Sequence, residues 1–263
     1  MSMDDHREQY TMPFERDGFL ILENHLEETT VEQILRIWRA DPTLAEDVKE
    51  NSNFKGEEGV GTRLAYRPRL GEDAYGALAR SARIIEPMEH IFDSSIQHYY
   101  TLNMQKDPGT GGWEYHQDYG YHYKEFFYPD FVSVMVALDP ATRDNGCLRV
   151  VRGSHRLGRL EHEPFGSQKI ANRERVALAL EEMEEVHCEM SAGSVLYFHG
   201  NILHGSNANL GNTSRWCLIF SYVPSTNRWV LPQASQLTSI DMLDDAALAA
   251  SLTAHEELLS KGA

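Results

Sequence analysis

His116 and Asp118 stand two positions apart in the segment Trp113-Glu-Tyr-His-Gln-Asp118, whose aromatic content suits a β-strand. Strand alternation would put Glu114, His116 and Asp118 on one face and Trp113, Tyr115 and Gln117 on the other. An imidazole and a carboxylate so placed can share one metal ion. Short His and Asp pairs also form ordinary hydrogen-bonding contacts, so a third ligand decides. The segment Tyr197-Phe-His-Gly-Asn-Ile-Leu-His-Gly-Ser206 offers two, His199 and His204, and His155 in Gly153-Ser-His155 is a further candidate. Two histidines with one carboxylate form the facial triad that holds non-haem Fe(II), with positions left open for a cosubstrate and oxygen.

Arg215 follows His204 by eleven positions and opens an apolar strand in which Arg215, Cys217, Ile219 and Ser221 share a face. A guanidinium that cannot lose its proton would then face a mostly apolar interior, at a cost on the order of several kcal/mol without an anion. A bound dicarboxylate would supply one through a bidentate pair. Asp139, Glu189 or an exposed strand end are equally open answers for Arg215 alone. Beside a metal triad, a dicarboxylate-binding arginine points to 2-oxoglutarate.

These side chains need a rigid frame, and the pattern supplies one from about Ile96 onward. Short runs rich in Val, Tyr, Phe, Ile and Trp predict strands over residues 96–105, 113–118, 131–138, 147–151, 194–198 and 215–223. Asp144-Asn-Gly146 supplies a turn. Before this core, residues 17–22 read as a strand, and Val31, Ile34, Leu35 and Trp38 follow helical spacing, with Thr30 and Gln33 as a capping box. Leu78, Ala82, Ile85 and Met88 predict a second helix that Pro87 kinks or ends. Val176, Leu180, Met183 and His187 predict a third, its glutamates 181, 182, 184 and 185 forming a solvated face. The Ala- and Leu-rich tail reads as a helix that caps the barrel or packs on a second subunit. The expectation is one domain: a mixed α/β part over 1–95, a β core over 96–225 and a helical tail over 235–263.

Composition narrows the partners. With 24 basic against 40 acidic side chains in 263 residues, the net charge of −16 opposes a polyanion, and nucleic acid is excluded as a partner. The apolar runs fall far short of the roughly 20 residues that span a bilayer. The N-terminus lacks a secretory pattern, so a cytoplasmic protein is expected. Cys147, Cys188 and Cys217 are odd in number and unclustered, as expected of reduced buried thiols. Arg63, Arg67 and Arg69 in Gly61-Thr-Arg-Leu-Ala-Tyr-Arg-Pro-Arg69 are a local basic excess.

Together, His116-Gln-Asp118, the stretch from Asp144 to His155, and His204-Gly-Ser206 with Arg215 resemble the phytanoyl-CoA dioxygenase family of Fe(II)/2-oxoglutarate oxygenases, over roughly residues 17–222. The resemblance implies a mainly β fold with flanking helices, the double-stranded β-helix or jelly roll also seen in cupins. It implies Fe(II) on His116, Asp118 and His204, and 2-oxoglutarate and O2 as cosubstrates, with succinate and CO2 as coproducts. It carries cosubstrate contacts onto Arg215, Ser206 and, from the ectoine hydroxylase branch, Asn103. Met135 stands where many relatives have an aromatic residue. Halogenating relatives have a small residue where this chain has Asp118, so hydroxylation is implied.

The substrate is expected to be a small molecule. Arg63 and Tyr66, with Arg67 and Arg69, suggest an anionic group such as a phosphonate or the phosphates of an acyl-CoA, with ordinary surface arginines an equal alternative. Tyr119, Tyr121, His122 and Tyr123 follow the metal motif and either pack the core or receive an ammonium group, which together would suit a polar zwitterion. A natural-product intermediate is a further substrate reading. A cupin-like metal enzyme without 2-oxoglutarate, and a non-catalytic binding protein, are the rival classes.

Overall fold

The computed structural model describes residues 3–50, 63–165 and 168–262, so Gly61 and Thr62 of the arginine segment lie outside the described residues. The first part contains α1 (Met3–His6), a π-turn (Arg7–Thr11), α2 (Met12–Asp17), β1 (Phe19–Leu22), α3 (Glu28–Ala40), α4 (Pro42–Asp47), β2 (Lys49–Glu50), β3 (Arg63–Arg67), α5 (Ala74–Ala79) and α6 (Ala82–Phe92). The β-rich part runs through β4 (Ile96–Lys106), β5 (Trp113–His116), α7 (Asp118–His122), β6 (Val132–Ala137), β7 (Leu148–Val151), β8 (His162–Phe165), β9 (Gln168–Ala171), α8 (Arg173–Glu182), β10 (Glu185–Cys188), β11 (Val195–His199), β12 (His204–Ser206), β13 (Arg215–Pro224) and β14 (Thr238–Ser239). The tail forms α9 (Asp245–Gly262).

Two antiparallel sheets carry the site. The larger runs β1-β11-β6-β13-β4-β3-β2, with β14 also on β4, and the smaller runs β10-β7-β12-β5. Period-two alternation sorts the large sheet's side chains into two cores. Val132, Val134, Val136, Leu218 and Phe220 pack under the helices, against residues such as Ile34, Leu78 and Leu252. Met135, Ala137, Cys217 and Ile219 face inward, against Leu148 and Val150 of the small sheet. The result is the expected jelly roll with flanking helices. All three cysteines are buried and free.

Three local expectations fail for physical reasons. Helix α3 begins at Glu28 and has no side-chain cap; Gln33 instead donates to Glu256 of α9 at 2.9 Å, and α9 thereby lies on α3 and α5 of its own chain. The helix expected around residues 78–88 is split at Arg80 and Ser81, where the chain exchanges backbone hydrogen bonds with Leu243. Pro87 sits inside α6 without ending it, because the Arg83 carbonyl that its missing N–H would have used accepts from His25 Nε2 at 2.7 Å. His187 is on β10 rather than a helix, since α8 stops at extended Met183 and residues 185–188 pair with β7.

Candidate metal centre and adjoining cavity

β5 and β12 are neighbours, with His116 directly opposite His204, and this register brings the two rings to 4.2 Å between centroids. The ladder slips by one residue between His204 and Ser206, so that Ser206 opposes Trp113. That irregularity overturns the simple alternation expected for 113–118: Trp113 lines the cavity alongside His116, whereas Glu114 is exposed. The strand ends at His116, and Asp118 opens α7.

His116 and His204 are buried, and each points its Nδ1 at a backbone carbonyl, Glu114 O at 2.8 Å and Ile202 O at 3.1 Å. A carbonyl can only accept, so each Nδ1 carries the hydrogen and each Nε2 keeps its lone pair. Both Nε2 atoms face Asp118 Oδ1, at 3.6 Å from His116 and 3.4 Å from His204. The other carboxylate oxygen accepts from Ser133 Oγ at 2.5 Å. Burial acts to raise the Asp118 pKa, but the close approach of His204 first and of His116 second outweighs it and holds the carboxyl well below its usual range. The His116 pKa is lowered by burial first and by His204 second. Two lone pairs and a carboxylate converging with their far sides anchored are the donor set and tautomers that a divalent iron needs. Among the described residues this is the one cluster of three or more such ligands.

The alternative ligands lie elsewhere. His199 faces away from Phe198, which lines the cavity, and its Nδ1 accepts from Asn201 N; burial pushes its pKa down to about 4. His155 reaches the Glu15 carbonyl instead.

A cavity of about 210 Å³ opens from the triad between the sheets. At one end stand Arg215 and Ser206, with Met104, Met135 and Ile219 as apolar wall. Arg215 is 3% exposed, and among the described residues its Nε and Nη1 have no hydrogen-bond partner. The rival partners are engaged elsewhere: Asp139 accepts from Trp216 N and Glu189 pairs with Arg143. A buried guanidinium with unanswered donors facing a cavity fits the far carboxylate of 2-oxoglutarate.

Tyr66 and Tyr121 line the cavity, joined by Tyr100, Trp113 and His122. Five expected residues are placed otherwise. Asn103 alternates with inward Leu102 and Met104, so it lies beside Ala65 and Leu218 on the helix-covered face. Arg63 is at the surface, paired with Asp107 at 2.6 Å, and Arg67 is held by Asp73 at 2.8 Å; Arg69 is exposed. Tyr119 packs with Tyr99 and Phe126 rather than lining the cavity. Ser133 and Gln117, which hold the metal motif, gave no signal in the sequence beyond an inward position on a strand and a place between two ligands.

A jelly roll carrying two histidines and one carboxylate beside an anion-seeking arginine is the scaffold of a non-haem iron oxygenase. The family profile described as phytanoyl-CoA dioxygenase (PhyH) matches residues 14–217, and the chain belongs to this family. Similar proteins include an ectoine dioxygenase from Bordetella bronchiseptica, 30% identical over 75% of this chain and 68% of that one. Another is named a probable alpha-ketoglutarate-dependent hypophosphite dioxygenase, from Stutzerimonas stutzeri, 27% identical over 69% of this chain and 65% of that one. The chain thus spans about two thirds of the length of these two relatives. Among solved structures, EctD from S. alaskensis with 2-oxoglutarate and 5-hydroxyectoine superposes with a TM-score of 0.73 at 19% identity, over 93% of this chain and 88% of that one, a likeness of fold. No described helix is long and apolar enough to cross a membrane.

Proposed function

We propose that this protein is an Fe(II)- and 2-oxoglutarate-dependent dioxygenase that hydroxylates a small molecule, acting as one oxygenase domain in the cytoplasm. The observation that carries the reading is the buried, unanswered Arg215 guanidinium in the same cavity as the His116, Asp118 and His204 donors. In this reading the three donors hold iron, and Arg215 with Ser206 holds the far carboxylate of 2-oxoglutarate. Iron, 2-oxoglutarate and oxygen together supply the oxidising step and release succinate and CO2. The protein's own part is positioning. Backbone carbonyls fix the two imidazoles, Ser133 orients Asp118, and the apolar walls of Met104, Met135 and Ile219 keep water from the cosubstrate end.

For the substrate, the lining supports a compact molecule bearing an amine over one bearing phosphate. Among the described lining residues, Arg215 is the one arginine or lysine, while Tyr66, Tyr100 and Tyr121 present aromatic faces on which an ammonium can rest. Arg63 and Arg67, the earlier argument for an anionic substrate, are engaged by aspartates. The relatives named for ectoine and hypophosphite act on small molecules, in keeping with a cavity of this size.

The test is succinate release from protein reconstituted anaerobically with Fe(II), then given ascorbate, 2-oxoglutarate and oxygen. A panel of amino acids, cyclic amines, phosphonates and acyl-CoA thioesters should show stimulation by the amines. Absence of metal binding by the wild type, or a signal unchanged by His116→Ala, would sink the reading.

A further inference from the structure

Lys106 ends β4 with no accessible surface, and its Nζ reaches three oxygens: Ser206 Oγ at 2.9 Å, Gly146 O at 3.3 Å and the carbonyl of Asn207. An ammonium has three N–H donors and no lone pair, so these acceptors match it completely. Ser206 Oγ thus receives a hydrogen bond from behind, which leaves its own hydrogen for the cavity that Ser206 lines. Lys106 is also the register partner of Arg215 across the β4–β13 ladder. Neither cation is paired with a carboxylate among the described residues, although both are buried. Burial first, and the Arg215 charge second, lower the Lys106 pKa well below its usual value. Two adjacent buried cations without an acid are costly, and an anion in the cavity relieves both.

We propose that Lys106 is a positioning residue for the cosubstrate: it turns the Ser206 hydroxyl hydrogen toward the cavity and adds a second buried positive charge to the Arg215 corner, so that this corner selects a carboxylate. The inference rests on the 2-oxoglutarate reading above. It concerns the cosubstrate's far end only, since Lys106 acts through Ser206 and is not itself among the residues that line the cavity.

Calorimetric titration of the full-length, Mn(II)-loaded protein tests it, with 2-oxoglutarate and with 2-oxopentanoate, which has the same chain without the far carboxylate. Lys106→Met should weaken 2-oxoglutarate binding by about tenfold or more, the scale of a lost charge-assisted hydrogen bond, and leave 2-oxopentanoate nearly unchanged. Adding Ser206→Ala to Lys106→Met should cost little more, because the two act through one hydroxyl. Equal losses for both acids, or unchanged 2-oxoglutarate affinity, would overturn the role of Lys106. A wild type that does not distinguish the two acids would instead overturn the 2-oxoglutarate reading. Lys106→Gln, which keeps N–H donors for the Gly146 and Asn207 carbonyls, reads the same ratio if the Met variant does not fold.

Discussion

Two side chains with similar burial, Arg215 in the cavity wall and Ser133 behind Asp118, do different work, and substitution separates them. Arg215→Met removes the unanswered guanidinium but touches no metal donor, so it should abolish 2-oxoglutarate-dependent succinate release while metal affinity stays within about twofold. Retained succinate release would mean that Arg215 does not hold the cosubstrate. Ser133→Ala should do the reverse. It frees Asp118 Oδ2 from its 2.5 Å hydrogen bond, and the loss of such a support costs metal affinity on the order of tenfold. A metal titration showing no change would mean that α7 alone fixes the carboxylate. The two residues also differ in legibility. Arg215 could be read from sequence because a charge at an inward strand position is an anomaly that demands a partner. Ser133 could not, because a serine among valines in 131–138 is unremarkable until Asp118 is folded over it.

At the level of elements, the central strands are legible in the sequence, and the slip in the ladder that carries the metal motif is not. The central runs of β4, β6, β11 and β13 are apolar enough that any register leaves them buried, and their predicted limits lie within a residue or two of those observed. The segment 113–118 was misread because a one-residue slip in the β5–β12 ladder, invisible to alternation, carries Trp113 into the cavity and turns Glu114 out. Asn103 shows the opposite case: β4 does alternate, and a parity check against Leu102 and Met104 separates it from the cavity once their inward face is known. What holds the slipped segment is Gln117. Its Nε2 donates to Gly158 O at 2.8 Å and Asn201 O at 2.6 Å, and its Oε1 accepts from Leu160 N at 2.7 Å. One amide thus ties the metal motif to the turn before β8 and to the loop that delivers His204. Gln117→Leu leaves those backbone groups buried and unpaired, and should destabilise the protein by about 3 kcal/mol. Denaturant unfolding measures this directly, and a loss below about 1 kcal/mol would show that the loops hold themselves.

Across the whole molecule, the sandwich must stay closed for the His116 and His204 strands of the small sheet to meet the Asp118 and Ser133 supports. Asp17, at the end of α2, is one clasp. Its carboxylate pairs with Arg16 at 2.8 Å and with Arg152, just beyond β7, at 2.6 Å, and its carbonyl accepts from Gly153 N at 2.7 Å. Glu184, just before β10, shares Arg152, so the N-terminal segment is joined to β7 and β10 of the small sheet. The hydrogen bond from Arg16 is the main reason that the Asp17 pKa is lowered, with burial opposing and Arg152 adding to it. A depressed folded-state pKa means that the unfolded chain takes up a proton first as the pH falls. The clasp therefore contributes fully above the ordinary carboxylate value of about 3.9, and its contribution disappears as the pH drops through the lower folded value. Asp17→Asn should accordingly be less stable than the wild type at neutral pH, with the gap closing toward pH 3. Urea midpoints for both proteins across that range measure it. A gap that stays constant with pH would mean that Asp17 acts through its shape and backbone carbonyl rather than its charge.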